Sequence, residues 1–405
     1  MKTRYGLSPW VDSFPDTRRP SFEPFRGDKT TDVLIVGGGL TGCATAQALA
    51  AAGRKPLLLE AARIGQGSGG RSTGLLLSEP GVPFRDLVQR HGLRATRIVL
   101  DAWRKAAVDA AALLRRAGVR CDAMPVESVV AASYETERQL RRDFDARQTA
   151  GVEGTWLDPK KLQPLTRVDA AGAMRGRGGH VLDPYKACVG LARAAVRNRA
   201  RLYEKSPVEK IEFSSKDVRV TLRSGTITAA MVIVTTGTAT TLFKPLRRHF
   251  QPRERYAVLT EPVPAAIRRQ LFADDLVLRF ERASALQLRW TADHRLVLSG
   301  ADQDETAVAR RPQVLVQRTG QLMYELLTTH PVISGLRPEF GWDVAYGDTA
   351  DGLPYIGAHR NYPHHLFALG GNGHSVTDAF LAARLLTRAV LEKTEKNDQV
   401  FGWTR

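Results

Sequence analysis

The sequence lacks the features that usually mark metal centres, disulfide scaffolds and membrane spans. Its 405 residues include only three cysteines, Cys43, Cys121 and Cys188, which lie far apart and form no CxxC pair. This spacing argues against a zinc site, an iron–sulfur site and a disulfide framework, and it favours a reducing, cytoplasmic compartment. No run of about 18 apolar residues is present, so we expect no membrane span. The polar N-terminal stretch lacks the apolar core of a signal peptide and is expected to form a surface arm.

Internal repeats and low-complexity tracts are also absent, and the composition is that of an ordinary globular protein. A chain of 405 residues is longer than one simple core usually holds, so we expect two lobes. One adjacent histidine pair, His364 and His365, has no third ligand at a sensible spacing. We therefore expect no metal site.

The chain has fewer acidic than basic residues. The chain has 42 acidic and 59 basic residues, which gives a formal net charge of +17 and a pI of about 10.1. Such a field attracts acidic substrates, nucleic acid or anionic lipid. The arginines are spread along the chain instead of forming one basic run, which favours a general bias in arginine usage over a nucleic-acid site. An RNA-associated protein remains an alternative, but nucleic acid is not the expected partner.

A βαβ unit is predicted near the N-terminus. Residues 33–36 form a short apolar run that is typical of a buried parallel strand. Three glycines follow, and then residues 40–51 form an alanine-rich helix pattern that ends at Gly53. Residues 56–60 make a second apolar strand with an acid at its end. The whole unit has the length that this motif requires.

The glycines between the first strand and the helix have the GxGxxG spacing of a dinucleotide-binding loop. Gly37 permits the tight turn, Gly39 lets a pyrophosphate approach the backbone, and Gly42 lets the helix pack on the strand. The helix N-terminus then offers free N–H groups to the phosphates. Glu60 can bind ribose hydroxyls, and its charge disfavours a 2′-phosphate. The cofactor-binding residues predicted from this unit are Gly37, Gly39, Leu40, Thr41, Gly42 and Glu60.

A second loop rich in glycine and serine follows Glu60, over residues 61–74. This loop resembles that of the D-amino-acid oxidase superfamily, which includes glycine, sarcosine and γ-glutamylputrescine oxidases. Residues 351–357 (DGLPYIG) and 370–375 (GGNGHS) are similar to two further segments of that family. The resemblance implies FAD instead of NAD. It places these additional residues at the cofactor: Ala61, Arg63, Gly67, Ser68, Gly70, Arg71, Ser72, Thr73, Val208, Thr236, Gly237, Gly371, Asn372, Gly373, His374 and Ser375.

The resemblance also implies a two-lobed α/β fold of the α+β kind. A Rossmann-type FAD-binding domain with a mostly parallel sheet is expected from residues 1–90, 176–248 and 341–405. A substrate domain with a largely antiparallel sheet is expected from residues 91–175 and 249–340. The isoalloxazine ring would then lie at the junction of the domains, where pockets tend to form.

The chemistry that the resemblance implies is oxidation of the C–N bond of a small amine or amino acid. A hydride passes to flavin N5, and the imine is hydrolysed by water. The expected catalytic residues are Arg289, as a carboxylate-binding group, with Tyr256 and His374. Oxidation of a C–O bond in a 2-hydroxyacid is the alternative for the same fold.

Two departures from the family bear on this chemistry. Residues 341–348 contain no cysteine where some relatives attach the flavin covalently, so non-covalent FAD is expected. Residues 295–300 contain no lysine where sarcosine oxidases place one that aids the reaction with oxygen. Oxygen and another electron acceptor therefore both remain open, and so does the oligomeric state.

Overall fold

The computed structural model describes residues 2–281, 285–373 and 375–405, and for Ser375 its backbone only. Within the described residues, no helix combines the length and the apolar character needed to cross a bilayer. The α-helices of these residues are α1 (Pro9–Asp12), α2 (Leu40–Ala51), α3 (Ser68–Arg71), α4 (Phe84–Arg116), α5 (Glu137–Thr149), α6 (Pro159–Thr166), α7 (Pro184–Arg197), α8 (Ala265–Arg268), α9 (Arg311–Thr329) and α10 (Ser375–Val390). Short 3₁₀ helices span Asp16–Arg18, Thr241–His249, Val308–Arg310, Pro331–Ile333 and Lys396–Phe401.

The strands of the described residues fall into two sheets. In chain order they are β1 (Arg4–Tyr5), β2 (Lys29–Val36), β3 (Leu57–Leu59), β4 (Leu75–Leu76), β5 (Met124–Ala132), β6 (Thr155–Leu157), β7 (Gly172–Val181), β8 (Arg201–Tyr203), β9 (Val208–Phe213), β10 (Val218–Leu222), β11 (Gly225–Gly237), β12 (Gln251–Thr260), β13 (Leu276–Glu281), β14 (Gln287–Trp290), β15 (Leu296–Asp304), β16 (Pro338–Asp348), β17 (Tyr355–His359) and β18 (Tyr362–Leu369).

The first sheet is mostly parallel and has the order β17-β18-β11-β2-β3-β8. Pairing is parallel from β18 to β8, and β17 joins as an antiparallel edge. A hairpin of β9 and β10 adds to the early part of β11. The small, apolar faces of α2, α7 and α10 pack together in the main core against this sheet. This is the Rossmann-type arrangement expected from the βαβ unit.

The second sheet is largely antiparallel and has the order β1-β16-β12-β15-β14-β13-β5-β7-β4, with β6 beside β7. Its only parallel pairs among the described residues are β1 with β16 and β13 with β5. Helix α9 packs on the face formed by β12, β15 and β16 and closes a second core. The expected fold class, α/β with one mostly parallel and one largely antiparallel sheet, is therefore confirmed.

Strand membership bears on the predicted domain segments. Four strands, β1, β4, β7 and β16, pair in the antiparallel sheet, although they lie wholly or mainly in segments expected to form the FAD-binding domain. Alternation of side chains predicts a strand but does not reveal its partner, because the partner comes from a distant part of the chain. The domain boundaries stay a prediction.

Candidate active site

A large cavity of about 600 Å³ lies where the two sheets meet. One wall is formed by residues at the C-terminal ends of β2, β3 and β11, which is the edge where open parallel sheets bind ligands. The opposite wall is formed by β12 and β16 of the antiparallel sheet. The following predicted cofactor-binding residues line it: Gly37, Gly39, Leu40, Thr41, Glu60, Ala61, Gly67, Ser68, Ser72, Thr73, Val208, Thr236, Gly237, Gly371 and Gly373.

The three glycines of the first loop have different surroundings. Gly37 has φ 114°, a conformation that favours glycine, and its N–H donates to Leu59 O at 2.9 Å. A Cβ on Gly42 would lie 1.9 Å from Gly37 O, so Gly42 packs the helix on the turn and does not line the cavity. A Cβ on Gly39 would meet no atom within 4 Å. Gly39 therefore faces open space that a ligand can occupy.

Glu60 lies at the cavity wall and holds the first loop. Its Oε2 accepts from Gly38 N–H at 2.7 Å, and its Oε1 accepts from Ala62 N–H at 2.8 Å. Each carboxylate oxygen can accept a further hydrogen bond. The carboxylate is thus oriented by backbone before any ligand binds, as a ribose-binding acid requires.

The second loop contains residues of two kinds. Gly67, Ser68, Ser72 and Thr73 line the cavity, whereas Gly70 packs inward, where a Cβ would lie 1.8 Å from Gly65 O. Tight packing at residue 70 therefore explains why a glycine is needed there, and no contact with a ligand is required.

Two arginines predicted at the cofactor lie elsewhere. Arg63 is exposed and does not line the cavity. Arg71 directs its guanidinium to Gly6 O at 3.3 Å and Asp343 Oδ1 at 3.5 Å, away from the cavity lining. The geometry therefore does not support either as a cofactor contact, because a long side chain next to a loop can point to either side of it.

The C-terminal glycine turn forms the cavity wall on both sides of Asn372. Asn372 itself is buried, and its Oδ1 accepts from Thr349 N–H at 2.7 Å, so its position supports the turn instead of contacting a ligand. His374 and the side chain of Ser375 lie outside the described residues. The roles predicted for both stay predictions.

Arg289 does not reach the cavity. Its buried guanidinium donates to three backbone carbonyls, Thr73 O at 2.5 Å, Trp290 O at 3.0 Å and Leu182 O at 3.3 Å. Burial lowers its pKa to about 10. These contacts do not support the predicted role in binding a substrate carboxylate, because the donors already have partners in the fold.

Tyr256 points to the face of β12 opposite the cavity. Its hydroxyl donates to Glu254 Oε2 at 2.8 Å, and its ring lies in the core under α9. Burial raises its pKa to about 12. Arg255, its neighbour, lines the cavity instead. Adjacent residues of a strand face opposite sides, so the geometry does not support a catalytic Tyr256.

A polar cluster that the sequence reasoning missed lies at the cavity wall formed by the antiparallel sheet. Arg255 forms a bidentate pair with Asp302, with Nε to Oδ1 at 2.8 Å and Nη2 to Oδ2 at 2.6 Å. Tyr346 donates to the same carboxylate at 3.0 Å. Burial lowers the pKa of Arg255, but Asp302 outweighs this and holds it above its ordinary value. Burial raises the pKa of Tyr346, and Asp302 raises it further.

Asp378 is a second residue that the sequence reasoning missed. It lies in the first turn of α10, is 7% exposed and lines the cavity next to Gly371. Its Oδ1 is buried and has no hydrogen-bond partner among the described residues, and burial raises the pKa of this carboxyl well above its ordinary value. An acid in the first turn of a helix that directly follows a glycine-rich turn is the signal that could have identified it. An unpaired buried polar atom at a cavity indicates a polar ligand.

The described residues contain no group of three or more potential metal ligands. Among them, His364 is half-buried and bonds Ser215 O, and His365 packs among aromatic rings. The three cysteines are buried, and none lines the cavity.

Comparison with protein families identifies the family of this chain and the cofactor that its cavity would hold. The model of the family described as FAD dependent oxidoreductase (DAO) matches residues 32–389, most of the chain. The chain belongs to this family. It is therefore an FAD-dependent oxidoreductase, and FAD is its cofactor.

Individual relatives of this oxidoreductase agree with the family. Gamma-glutamylputrescine oxidoreductase of Escherichia coli strain K12 is 26% identical over 382 residues, which covers 93% of this chain and 87% of the relative. Probable oxidoreductase OrdL of Haemophilus influenzae is 24% identical over 399 residues, covering 94% of this chain and 88% of the relative. The solved structure of glycine oxidase from Geobacillus kaustophilus matches with a TM-score of 0.76 at 20% identity, covering 93% of this chain and 99% of that one. The structural match shows the same fold.

The residues present fit FAD. The open space at Gly39 lies at the start of α2, where backbone N–H groups suit a pyrophosphate. The oriented carboxylate of Glu60 suits ribose hydroxyls, and the unpaired carboxyl of Asp378 suits a polar chain. Glycines form the walls where a flat ring system could approach the backbone.

Proposed function

We propose that this oxidoreductase oxidises the C–N bond of a small amine or amino acid, and that the resulting imine is hydrolysed by water. Bound FAD, held without a covalent bond, supplies the hydride acceptor at its N5 atom. The observation that carries the proposal is the continuity of one cavity from the dinucleotide loop at Gly39 to the polar cluster at Arg255 and Tyr346. The family places FAD in this chain, and the cluster supplies polar groups for a substrate.

The cofactor would be held along the parallel-sheet wall. Gly39, Leu40 and Thr41 would present N–H groups and the helix dipole to the phosphates. Glu60 would accept hydrogen bonds from the ribose. Residues of the second loop and the C-terminal glycine turn would contact the flavin, with Thr73 and Gly373 on the lining.

The substrate end of the cavity offers charges of two kinds. Arg255 is already neutralised by Asp302, so it contributes shape and donors more than free charge. Arg253 also lines the cavity, and its Nε is buried and has no partner in the part of the chain that the structure describes. Its Nη1 contacts an exposed carboxylate, Asp304, at 3.1 Å. We therefore propose Arg253, instead of Arg289, as the group that would bind a substrate carboxylate.

The names of related proteins support a nitrogen-containing substrate. The matched relative from Escherichia coli is named for γ-glutamylputrescine, which is an amine, and the matched solved structure is a glycine oxidase. The phenol of Tyr346 is protonated at neutral pH, and burial raises its pKa further, so it would not act as a base. Its one O–H donates to Asp302, so its oxygen would accept a hydrogen bond from the substrate amine. An amine that arrives uncharged needs no strong base for hydride loss.

The test is the visible spectrum of the purified holoprotein without oxygen, during addition of pooled amines, amino acids and then 2-hydroxyacids. We expect amines or amino acids to bleach the flavin band. Bleaching by hydroxyacids alone would replace the C–N proposal with the C–O alternative. The rate at which the band returns in air then separates oxygen from another electron acceptor.

Replacing Arg253 by Met tests the carboxylate-binding proposal. We expect KM for amino-acid substrates to rise by about 10- to 100-fold, because a charge-assisted hydrogen bond is worth about 1.5–3 kcal/mol, while KM for amines without a carboxylate changes little. Arg219→Met, at an exposed strand position, is the matched control. An equal rise in KM for both substrate classes would contradict the assignment.

A further inference from the structure

Three consecutive carbonyls of the second loop are each bonded by a side chain from a distant part of the chain. Trp342 Nε1 donates to Arg71 O at 2.7 Å, and Trp10 Nε1 donates to Ser72 O at 2.9 Å. Arg289 Nε donates to Thr73 O at 2.5 Å. The donors come from β16, from the N-terminal arm at α1 and from β14.

The three donor side chains also pack on one another. The rings of Trp10 and Trp342 meet edge to face, with centroids 6.3 Å apart. The Arg289 guanidinium lies over the Trp10 ring, 5.1 Å from its centroid. Trp342 is fully buried and Arg289 is 3% exposed. Trp10 is half-buried, and the three side chains pack together on the side of the loop away from the cavity.

The bonded carbonyls decide which way the loop's amides point. In a trans peptide, the C=O of one residue and the N–H of the next point in opposite directions. Because Ser72 O is directed at Trp10, the N–H of Thr73 is directed to the other side. Both residues line the cavity, and the described residues offer the Thr73 N–H no acceptor.

We propose that Trp10, Arg289 and Trp342 form a carbonyl clamp, whose function is to present the Thr73 N–H to bound FAD as a hydrogen-bond donor. The clamp residues are positioning residues, since none of them lines the cavity. The N-terminal arm thereby becomes part of the cofactor site. The proposal rests on the proposed function only in requiring FAD in this cavity.

Arg289 gives the clamp a second effect. It forms no close ion pair with a described residue, although the charges of Asp183 and Asp293 act on it from a greater distance. Burying a cation without a close ion pair costs stability that an apolar side chain would avoid. Its guanidinium is hydrogen-bonded to Thr73, a loop residue that would lie at the flavin. This charge would favour the reduced, anionic cofactor, so Arg289→Met should lower the midpoint potential of the flavin, and Arg289→Lys should lower it less.

The test compares Trp10→Phe, Trp342→Phe and Arg289→Met with a matched control, Trp290→Phe. Trp290 is also buried in the antiparallel sheet and also donates to a carbonyl, Phe272 O at 3.2 Å, but it does not touch the loop. Apoprotein of each variant is titrated with FAD, and the flavin absorption spectrum and midpoint potential are then measured. We expect each clamp variant to raise the Kd for FAD by about 5- to 100-fold and to shift the flavin band, since an unpaired buried group costs about 1–3 kcal/mol.

Thermal unfolding of the apoproteins separates positioning from packing. If the clamp variants lower apoprotein stability like Trp290→Phe but leave the FAD Kd, spectrum and potential unchanged, the clamp is only structural and the proposal fails. If wild-type protein binds FAD but shows no bleaching with any substrate pool, the proposed function fails while the clamp proposal stands.

Discussion

Gly39 and Gly42 differ in what a side chain would meet, although both belong to one motif. A Cβ at residue 39 meets empty cavity, whereas a Cβ at residue 42 lies 1.9 Å from Gly37 O. We expect Gly39→Ala to leave apoprotein stability unchanged and to weaken FAD binding, because the methyl group takes space needed by the pyrophosphate. Gly42→Ala should destabilise the apoprotein itself. Thermal unfolding and FAD titration of both variants check this, and a stable Gly42→Ala apoprotein would contradict it.

Asp378 should make apoprotein stability depend on pH. Burial raises its pKa in the folded state, so the folded state holds this proton more tightly than the unfolded chain does. Its contribution is therefore fully present at low pH and is lost as the pH rises through the folded-state pKa. Asparagine stays neutral at every pH. As the pH rises from 5 to 9, the free energy of unfolding of Asp378→Asn should therefore fall less than that of wild type.

One further Asp378 variant and a control at another aspartate complete that comparison. Asp378→Leu should keep a stable apoprotein and raise the Kd for FAD, since the polar group facing the cavity is gone. Exposed Asp274→Asn is the control, expected to match wild type. Identical FAD affinity for wild type and Asp378→Leu would show that this carboxyl does not contact the cofactor.

At the scale of elements, two aspartates cap helices in opposite environments. Asp183 caps α7 through Lys186 N–H at 2.9 Å, and Asp158 caps α6 through Lys161 N–H at 3.0 Å. Burial raises the pKa of Asp183 to about 6, whereas the Lys161 backbone hydrogen bond lowers the pKa of exposed Asp158.

The two caps should therefore respond to pH with opposite sign. The stabilising contribution of Asp183 is present below its unfolded pKa and is lost as the pH rises through about 6. As the pH rises from 4 to 7, the free energy of unfolding of Asp183→Asn should therefore increase relative to that of wild type. The contribution of Asp158 is present at neutral pH and is lost as the pH falls through its lowered pKa. Denaturant unfolding at several pH values checks both, and parallel trends would contradict the assignment.

Strand β12 shows what a sequence pattern predicts about a strand and what it leaves open. Its alternation predicts that Arg255 and Tyr256 face opposite sides, but alternation alone does not say which side faces the cavity. That choice depends on pairing with β16 and on the position of α9, both distant in sequence. The polar cluster at Arg255, Asp302 and Tyr346 was missed for the same reason, since its members come from three strands.

At the scale of the whole molecule, the net charge of +17 makes a testable prediction. If the charge is only a bias in composition, binding to RNA should be weak, independent of sequence, and largely lost between about 50 and 200 mM salt. Filter binding over that salt range, with the 260/280 nm absorbance ratio of the purified protein, is the measurement. RNA that remains bound at the higher salt would support the RNA-associated alternative.

The sequence by itself determined the cofactor loop and the fold class. The βαβ unit is local, because strand, glycine turn, helix start and Glu60 follow one another within about thirty residues. The geometry of such a unit depends on neighbouring residues, so spacing predicts it. The cavity lining at Gly37, Gly39 and Glu60 agrees with that prediction.

Only the tertiary structure decided which polar side chains face the cavity. Arg289, predicted to bind substrate, instead supports the loop at Thr73, and Asp378, which was not predicted as a site residue, faces the cavity. Side chains of the N-terminal arm and of two sheet strands meet at this loop from positions 62, 216 and 271 residues away along the chain. Such contacts depend on how the two sheets pack on each other, and no local pattern in the chain encodes that packing.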